Sequence, residues 1–149
     1  MKTTKNTYNS TYPDEITIKI ICDVNTRLPK GDGWTRMVYK VDISENGDIE
    51  VYGSSHYRTV NYTFRYQNNN FEMISAFEMN TFSGGGGGTR KTIDFLLKKK
   101  LYLEGAFYCQ KTGDDLPEKE TAIEFDKPIL LFDIKDFGKF NIDEFYTQK

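Results

Sequence analysis

Alanine is nearly missing from this chain, with three in 149 residues, and leucine is thin at eight. The residues that form helices most readily are therefore too few for a helical bundle. Histidine occurs once, and the only cysteines are Cys22 and Cys109. No His and Cys set stands at zinc-ligand spacing, so a structural zinc site is excluded. Both cysteines lie in apolar, strand-like stretches, IKIICDV and AFYCQK. That setting points to two buried free thiols, with a bridge between them as the alternative. The longest apolar clusters, 101–103 and 129–132, fall far short of the roughly 18 residues a membrane-spanning helix needs. A surplus of one charge is missing too: 20 basic against 22 acidic residues leave a net charge of −2. Nucleic-acid binders need a basic footprint to release counterions from phosphates, so DNA and RNA are excluded as partners. Positions 1–15, MKTTKNTYNSTYPDE, hold no apolar core, whereas a secretory leader carries roughly 7–15 apolar residues behind a basic start. As written, the chain reads as cytoplasmic. A periplasmic or envelope-anchored location stays open, because a polar tether left after leader removal has the same composition.

What is present is strand chemistry. Leu, Ile, Val and Phe supply 36 of the 149 residues, enough for a packed core, and the length suits one domain. Aromatics number 22, threonines 15, and isoleucine plus valine 17, a composition suited to pleated, half-buried surfaces. Period-two alternation marks the strands. Ile16, Ile18 and Ile20 oppose Thr17 and Lys19; Met37, Tyr39, Val41 and Ile43 oppose Arg36, Lys40 and Asp42. The Asn46-Gly47 pair inside SENGD supplies a tight turn, so a hairpin is expected over 35–52. A second is expected over 62–79. There Tyr62, Phe64 and Tyr66 lead through Gln67-Asn68-Asn69-Asn70 into Phe71, Met73, Ser75, Phe77 and Met79, and asparagine tolerates the left-handed turn conformation. Five glycines, 84–88, predict a mobile loop at 83–90, since ordering such a run costs backbone entropy. Strand character returns at 92–97 and 101–109, and KTGDDLPEK over 111–119 is a connection. The expectation is a mostly β fold: a flexible polar lead at 1–15, then one β-rich domain at 16–149. Its antiparallel hairpins form a meander sheet or a sandwich, with at most one short C-terminal helix around Ile142, Phe145 and Tyr146.

Catalytic and cofactor signatures are weak. Thr89 and Arg90 intervene between the last glycine and Lys91, and TIDFLL reads as strand, so the spacing of a phosphate loop is not met. His56, in a Gly-Ser-Ser-His-Tyr-Arg turn, reads as an exposed loop residue, with no nucleophile elbow to complete an acyl-transfer set. The DDLPE stretch lacks the alternating ligands of a calcium loop. No catalytic, cofactor or metal residue is therefore expected. Charge is uneven, however. Residues 114–126 hold Asp114, Asp115, Glu118, Glu120, Glu124 and Asp126 against Lys119 alone, a net of −5, while 89–111 hold six bases against Asp94 and Glu104, a net of +4. The plain reading is a solvated loop beside a sheet edge that Lys98, Lys99 and Lys100 protect from strand addition. The sharper reading is a docking surface for a basic protein partner, made of Asp114, Asp115, Glu118, Glu120 and Glu124 with Tyr52 and Tyr57 as aromatic rim.

The stretch over 63–105, TFRYQNNNFEMISAFEMNTFSGGGGGTRKTIDFLLKKKLYLEG, resembles a β-rich region of uncharacterised bacterial proteins, some of them lipoproteins. In these an F-x-Y-Q-x-x-x-F-x-L-I-G hairpin precedes a Gly-rich loop and a strand like I-N-F-L-T-G-K. Phe64, Tyr66, Gln67 and Phe71 match the first part, and Ile93, Phe95 and Leu96 the second. Met73-Ile74-Ser75, Asp94 and Leu97-Lys98-Lys99 depart from the pattern. The resemblance implies an extracytoplasmic or surface-binding β module, and no functional residue is carried over. Three functions are therefore expected in order: a non-catalytic immunity or inhibitor protein blocking a toxin or enzyme, an envelope lipoprotein-like structural or ligand-binding module, and a small hydrolase using His56 or an acid pair.

Overall fold

In the computed structural model the described residues are 2–5, 15–18, 37–82, 87–109 and 111–149. Ten strands follow in chain order: β1 (Lys2–Lys5), β2 (Glu15–Ile18), β3 (Val38–Ile43), β4 (Ile49–Ser54), β5 (Arg58–Gln67), β6 (Asn70–Thr81), β7 (Gly87–Asp94), β8 (Lys99–Ala106), β9 (Lys119–Glu124) and β10 (Thr147–Gln148). Strands β3 to β10 form one antiparallel sheet in strict sequence order, a meander, while β1 and β2 pair with each other. The mostly β fold is the one expected. In place of a C-terminal helix there are two three-residue 3-10 turns, Leu131–Asp133 and Ile142–Glu144.

Both expected hairpins form. Thr35 and Arg36 of the first lie outside the described residues. Its turn is wider than a two-residue loop: Ile43 pairs with Ile49, and the Gly47 N–H closes back on the Ser44 carbonyl at 2.9 Å. Gly47 alone takes positive φ, at 85°, so the turn is a right-handed one finished by a left-handed glycine. Asp48, only 4% exposed, holds it from beneath, with both carboxylate oxygens on Arg65 of β5 at 3.0 and 2.8 Å. In the second hairpin Asn68 and Asn69 both adopt positive φ, 51° and 62°. Their short side chains tolerate that geometry, and it gives the turn the twist of the flanking strands.

Two polar segments contain strand that their composition does not announce. Lys2–Lys5 of the lead is a strand in register with Glu15–Ile18, where Thr3 and Thr4 suit extended backbone. Of the loop expected at 83–90, residues 83–86 lie outside the described set, but Gly87 to Arg90 belong to β7. Gly88 has φ of 156°, and a Cβ there would sit 1.8 Å from the Asn80 carbonyl oxygen. Close strand approach therefore requires this glycine, which is a packing role that loop composition conceals.

The sheet is asymmetric. One face carries Tyr39, Val41 and Ile43, then Ile49 and Val51, then Val60, Tyr62 and Phe64, then Met73 and Ala76, then Ile93. These are core or core-packed residues, and each large side chain fully removed from water contributes about 1.5–3 kcal/mol. Their cover is the segment from Phe125 to Tyr146, which leaves β9, crosses the sheet, and returns. On the way out Phe125 packs edge-on against Phe95, the Met73 N–H donates to the Ile129 carbonyl at 2.8 Å, and Glu72 bridges Leu130. At the far end Phe137 meets Tyr39 and Tyr62, and the Tyr39 hydroxyl donates to the Phe137 carbonyl. On the way back Phe140 stands edge-on to Tyr62, Ile142 is fully buried, and β10 pairs with β9. Ile74, the extra residue of a bulge at Thr63/Phe64, takes the Phe95 N–H on its carbonyl at 3.0 Å, and a bulge of this kind bends its strand.

Candidate functional site

Near the returning leg of the cover, polar residues replace apolar ones on the same sheet face. Register explains how. Lys91 of β7 pairs with Tyr102 of β8, which pairs with Lys119 of β9; one step along, Ile93 pairs with Lys100 and Lys100 with Thr121. Period-two alternation turns all six to one face, and neighbouring strands lie about 4.8 Å apart, so Lys91 and Lys119 flank Tyr102 directly and Lys100, two residues along β8, stands diagonal to both. Asp143, Tyr146 and Gln148 close the other side, leaving an open hollow of about 430 Å³.

Charge inside the hollow is unequally satisfied. Lys91 Nζ lies 2.8 Å from Asp143 Oδ1 and 3.2 Å from Glu78 Oε2. Glu78, 9% exposed, also accepts from the Tyr62 hydroxyl at 2.7 Å and stands 3.7 Å from Arg58. The Tyr146 hydroxyl donates to Asp143. Burial alone would raise the Asp143 carboxyl, yet hydrogen bonds from Lys91 and Tyr146 and the charges of Lys91 and Lys100 hold it below the usual range. Burial, then Glu78, pushes the Tyr62 phenol far above its ordinary value; burial, then Asp143, does the same to Tyr146. Lys100 differs from Lys91. It is 8% exposed and lies between the Tyr102 and Tyr146 rings, 5.3 and 5.6 Å from their centroids. Among the described residues it has no ion pair. Burial first, opposed by Asp143 and reinforced by Lys91 and Lys119, lowers its pKa.

The residues expected to meet a partner are only partly gathered. Asp114 and Asp115 are exposed in the β8–β9 connection, and three backbone hydrogen bonds brace it: Gly113 N–H to the Cys109 carbonyl, and Cys109 N–H to the Asp114 carbonyl with Leu116 N–H to the Phe107 carbonyl, which together make the Tyr108–Asp115 bridge. Tyr108, 44% exposed, stands beside Asp115 on this turn; the sequence placed it in a strand over 101–109, but β8 ends at Ala106. Glu118 is turned inward, 3.0 Å from Arg90 and half-buried. Glu120 reaches Lys99 at 3.6 Å and Glu124 reaches Lys149 at 2.6 Å, both near the surface. Tyr57 lies in the β4–β5 turn, at the same end of the sheet as Asp114, with its carbonyl taken by the Thr81 N–H. Tyr52 lies on β4, next to the edge strand, under Lys40, on the second face, which also carries Glu120. Five strand spacings, about 24 Å, separate those two.

The lysine run is not an edge guard. Strands β7 and β8 are interior; Lys98 takes positive φ in the turn, over Phe125, while Lys99 and Lys100 point to opposite faces. Continuing the alternation through Lys100, Tyr102 and Glu104 is the signal that separates them. Cys109 carries a free thiol and is half-buried; hydrogen bonds from the Thr112 hydroxyl and then the Thr112 and Lys111 amides lower its pKa. Cys22 lies outside the described residues. His56 is exposed, with its ring edge-on to Tyr57 at 4.5 Å, and the neighbouring Ser55 amide and hydroxyl bond Arg58. Among the described residues no three His, Cys, Asp or Glu converge on a metal position, and no helix is long and apolar enough to cross a membrane. Comparison with protein-family models, curated proteins and solved structures gave no match.

Proposed function

We propose that the chain is a non-catalytic protein-binding module that docks a basic partner surface, in the manner of a small immunity or inhibitor protein blocking a toxin or enzyme. The observation that carries this reading is the braced turn at 107–116. It presents two exposed carboxylates, Asp114 and Asp115, beside the exposed ring of Tyr108. A tyrosine anchor costs little side-chain entropy to hold, and neighbouring acids steer a basic partner and fix its register. A turn already held by its own backbone bonds loses less freedom on binding than a loose one. Glu118, Glu120 and Glu124 support the reading less, because Arg90, Lys99 and Lys149 already neutralise them. The docking charge therefore narrows to Asp114 and Asp115. The resemblance of 63–105 to bacterial envelope proteins supports a second reading, a surface-attached binding module, which would use the same turn.

The test is an affinity capture from cells that make the protein, comparing wild type with Asp114→Lys/Asp115→Lys and with Tyr108→Ala. A partner retained by wild type and lost or markedly weakened in both variants supports the reading, with association slowing most at low salt. A partner bound equally by all three removes this turn as the interface.

A further inference from the structure

We propose that the hollow between β7, β8, β9 and the returning leg of the C-terminal segment binds a phosphate monoester, with Lys100 and Lys119 as its cationic ligands, Thr121 as a neutral donor, and Tyr102 and Tyr146 as its walls. This site lies on the covered sheet face and is independent of the acidic turn.

Four observations converge on it. First, the three lysines do not share one role. Lys91 is neutralised by Glu78 and Asp143, whereas among the described residues neither Lys100 nor Lys119 has a carboxylate within ion-pair distance. Second, the Lys100 stem is buried, with 8% of the residue exposed, while its ammonium, which has no hydrogen-bonded partner among the described residues, opens on the hollow. An ammonium in that position, with no carboxylate already on it, is free to take up an anion. Third, the cation is held in place beforehand, between two aromatic rings at 5.3 and 5.6 Å, so little motion is frozen when a ligand arrives. Fourth, the donors match one anion shape. Lysine ammoniums act as point charges suited to a tetrahedral dianion, while the planar carboxylate is best gripped by the arginine fork, and no arginine lines the hollow. A phosphate monoester carries close to two charges near neutral pH, matching the two unpaired ammoniums.

The space agrees. A volume of about 430 Å³ takes a phosphate together with a small organic group, and the flanking phenol rings favour a flat or apolar group beside the phosphate. Lys91 is held by Glu78 and Asp143 and is not a ligand, so the attraction rests on Lys100 and Lys119. The patch is confined to three adjacent strands, so it offers a single anion site and no track for a polynucleotide backbone.

Calorimetric titration at low salt with inorganic phosphate, phenyl phosphate and malonate tests this on the full chain, using wild type, Lys100→Met, Lys119→Met and, as control, Lys111→Met in the exposed turn. Flotation with phosphatidylcholine vesicles carrying phosphatidic acid tells a membrane-borne monoester from a soluble one. Expected are binding of phenyl phosphate more tightly than inorganic phosphate, weaker binding of malonate, about tenfold or greater loss in Lys100→Met and in Lys119→Met, and no change in Lys111→Met. Vesicle binding with the same sensitivity to both variants assigns the ligand to a lipid; its absence beside phenyl phosphate binding assigns a soluble metabolite. Thermal melts confirm that each variant is folded, and Lys119, exposed at the start of β9, keeps the test valid if Lys100→Met is not. The proposal is overturned if neither phosphate probe nor vesicle binds, if malonate binds as tightly as phenyl phosphate, or if binding survives in the folded lysine variants.

Discussion

Two lysines on one sheet face, Lys91 and Lys100, carry the same charge and opposite energetic signs. Removing Lys91 strands two carboxylates: Glu78, 9% exposed and also bonded to Tyr62, and Asp143. Lys91→Met is therefore expected to cost about 2–3 kcal/mol, the scale for leaving charged hydrogen-bonding groups short of a partner. Lys100 has no such partners among the described residues, and burial lowers its pKa, so Lys100→Met is expected to leave the melting temperature at neutral pH unchanged or higher. Scanning calorimetry of the two variants checks both signs at once. The pH dependence follows from the same contacts. Because Asp143 titrates lower in the folded state, the unfolded chain takes up its proton first as pH falls. Its contribution is full above the free carboxylate value near 3.9 and is lost as pH drops through the lower folded value. Asp143→Asn should thus be less stable than wild type at pH 6, with the difference shrinking below about pH 4. For Lys100 the folded pKa is also lowered, but the group is a base, so its penalty applies while it stays charged. That penalty fades as pH rises from the folded value to the free lysine value near 10.4. The gap between wild type and Lys100→Met should therefore close in that alkaline window; a gap that is constant with pH would show that Lys100 is not strained by its charge.

Among the elements, β7 is the one whose sequence conceals its structure. Its first residues are Gly87 and Gly88, the tail of a run that reads as linker, yet they pair with Ala106 and Gly105 of β8 on one side and Gly88 with Thr81 of β6 on the other. Composition describes what a segment can do when isolated, and here two neighbouring strands impose the extended form. Gly88→Ala is expected to destabilise by more than about 2 kcal/mol, because the new methyl group meets the Asn80 carbonyl in a backbone conformation that alanine disfavours. Urea unfolding measures it; a loss under about 0.5 kcal/mol, the range of ordinary surface changes, would mean that the strand end shifts freely.

At the level of the whole molecule, the C-terminal segment from Phe125 onward acts as the second layer that a one-sided sheet must have. It contributes few regular hydrogen bonds but much of the cover, through Ile129, Leu131, Phe137, Ile142 and Tyr146, all buried. A chain ending at Glu124 keeps nine of the ten strands seen among the described residues but exposes the face of Tyr62, Phe64 and Ile49. It is expected to lose cooperative unfolding and to bind a hydrophobic dye, while its far-UV spectrum keeps strand character. A sharp, wild-type-like melt would show that the sheet is covered by other means. The same segment completes the hollow by bringing Asp143 and Tyr146 against β7 and β8.

Period-two alternation and turn chemistry, both local, determined by themselves that this chain folds as antiparallel hairpins: Asn68-Asn69 and Gly47 mark turns because few other residues take positive φ without strain. The acid-rich connection was equally legible, since charge is written residue by residue. Which acids remain free was not, because neutralisation depends on Arg90, Lys99 and Lys149 reaching across strands. The basic hollow was legible only as a surplus of lysine over 89–111. Its making required the β7–β8–β9 register, which sets Lys91, Lys100 and Lys119 on one face, and the return of a distant segment over them. Interstrand register and long-range cover arise from side-chain packing between residues far apart in the chain, an interaction that no local pattern encodes, and that is why only the tertiary structure decided where the charges meet.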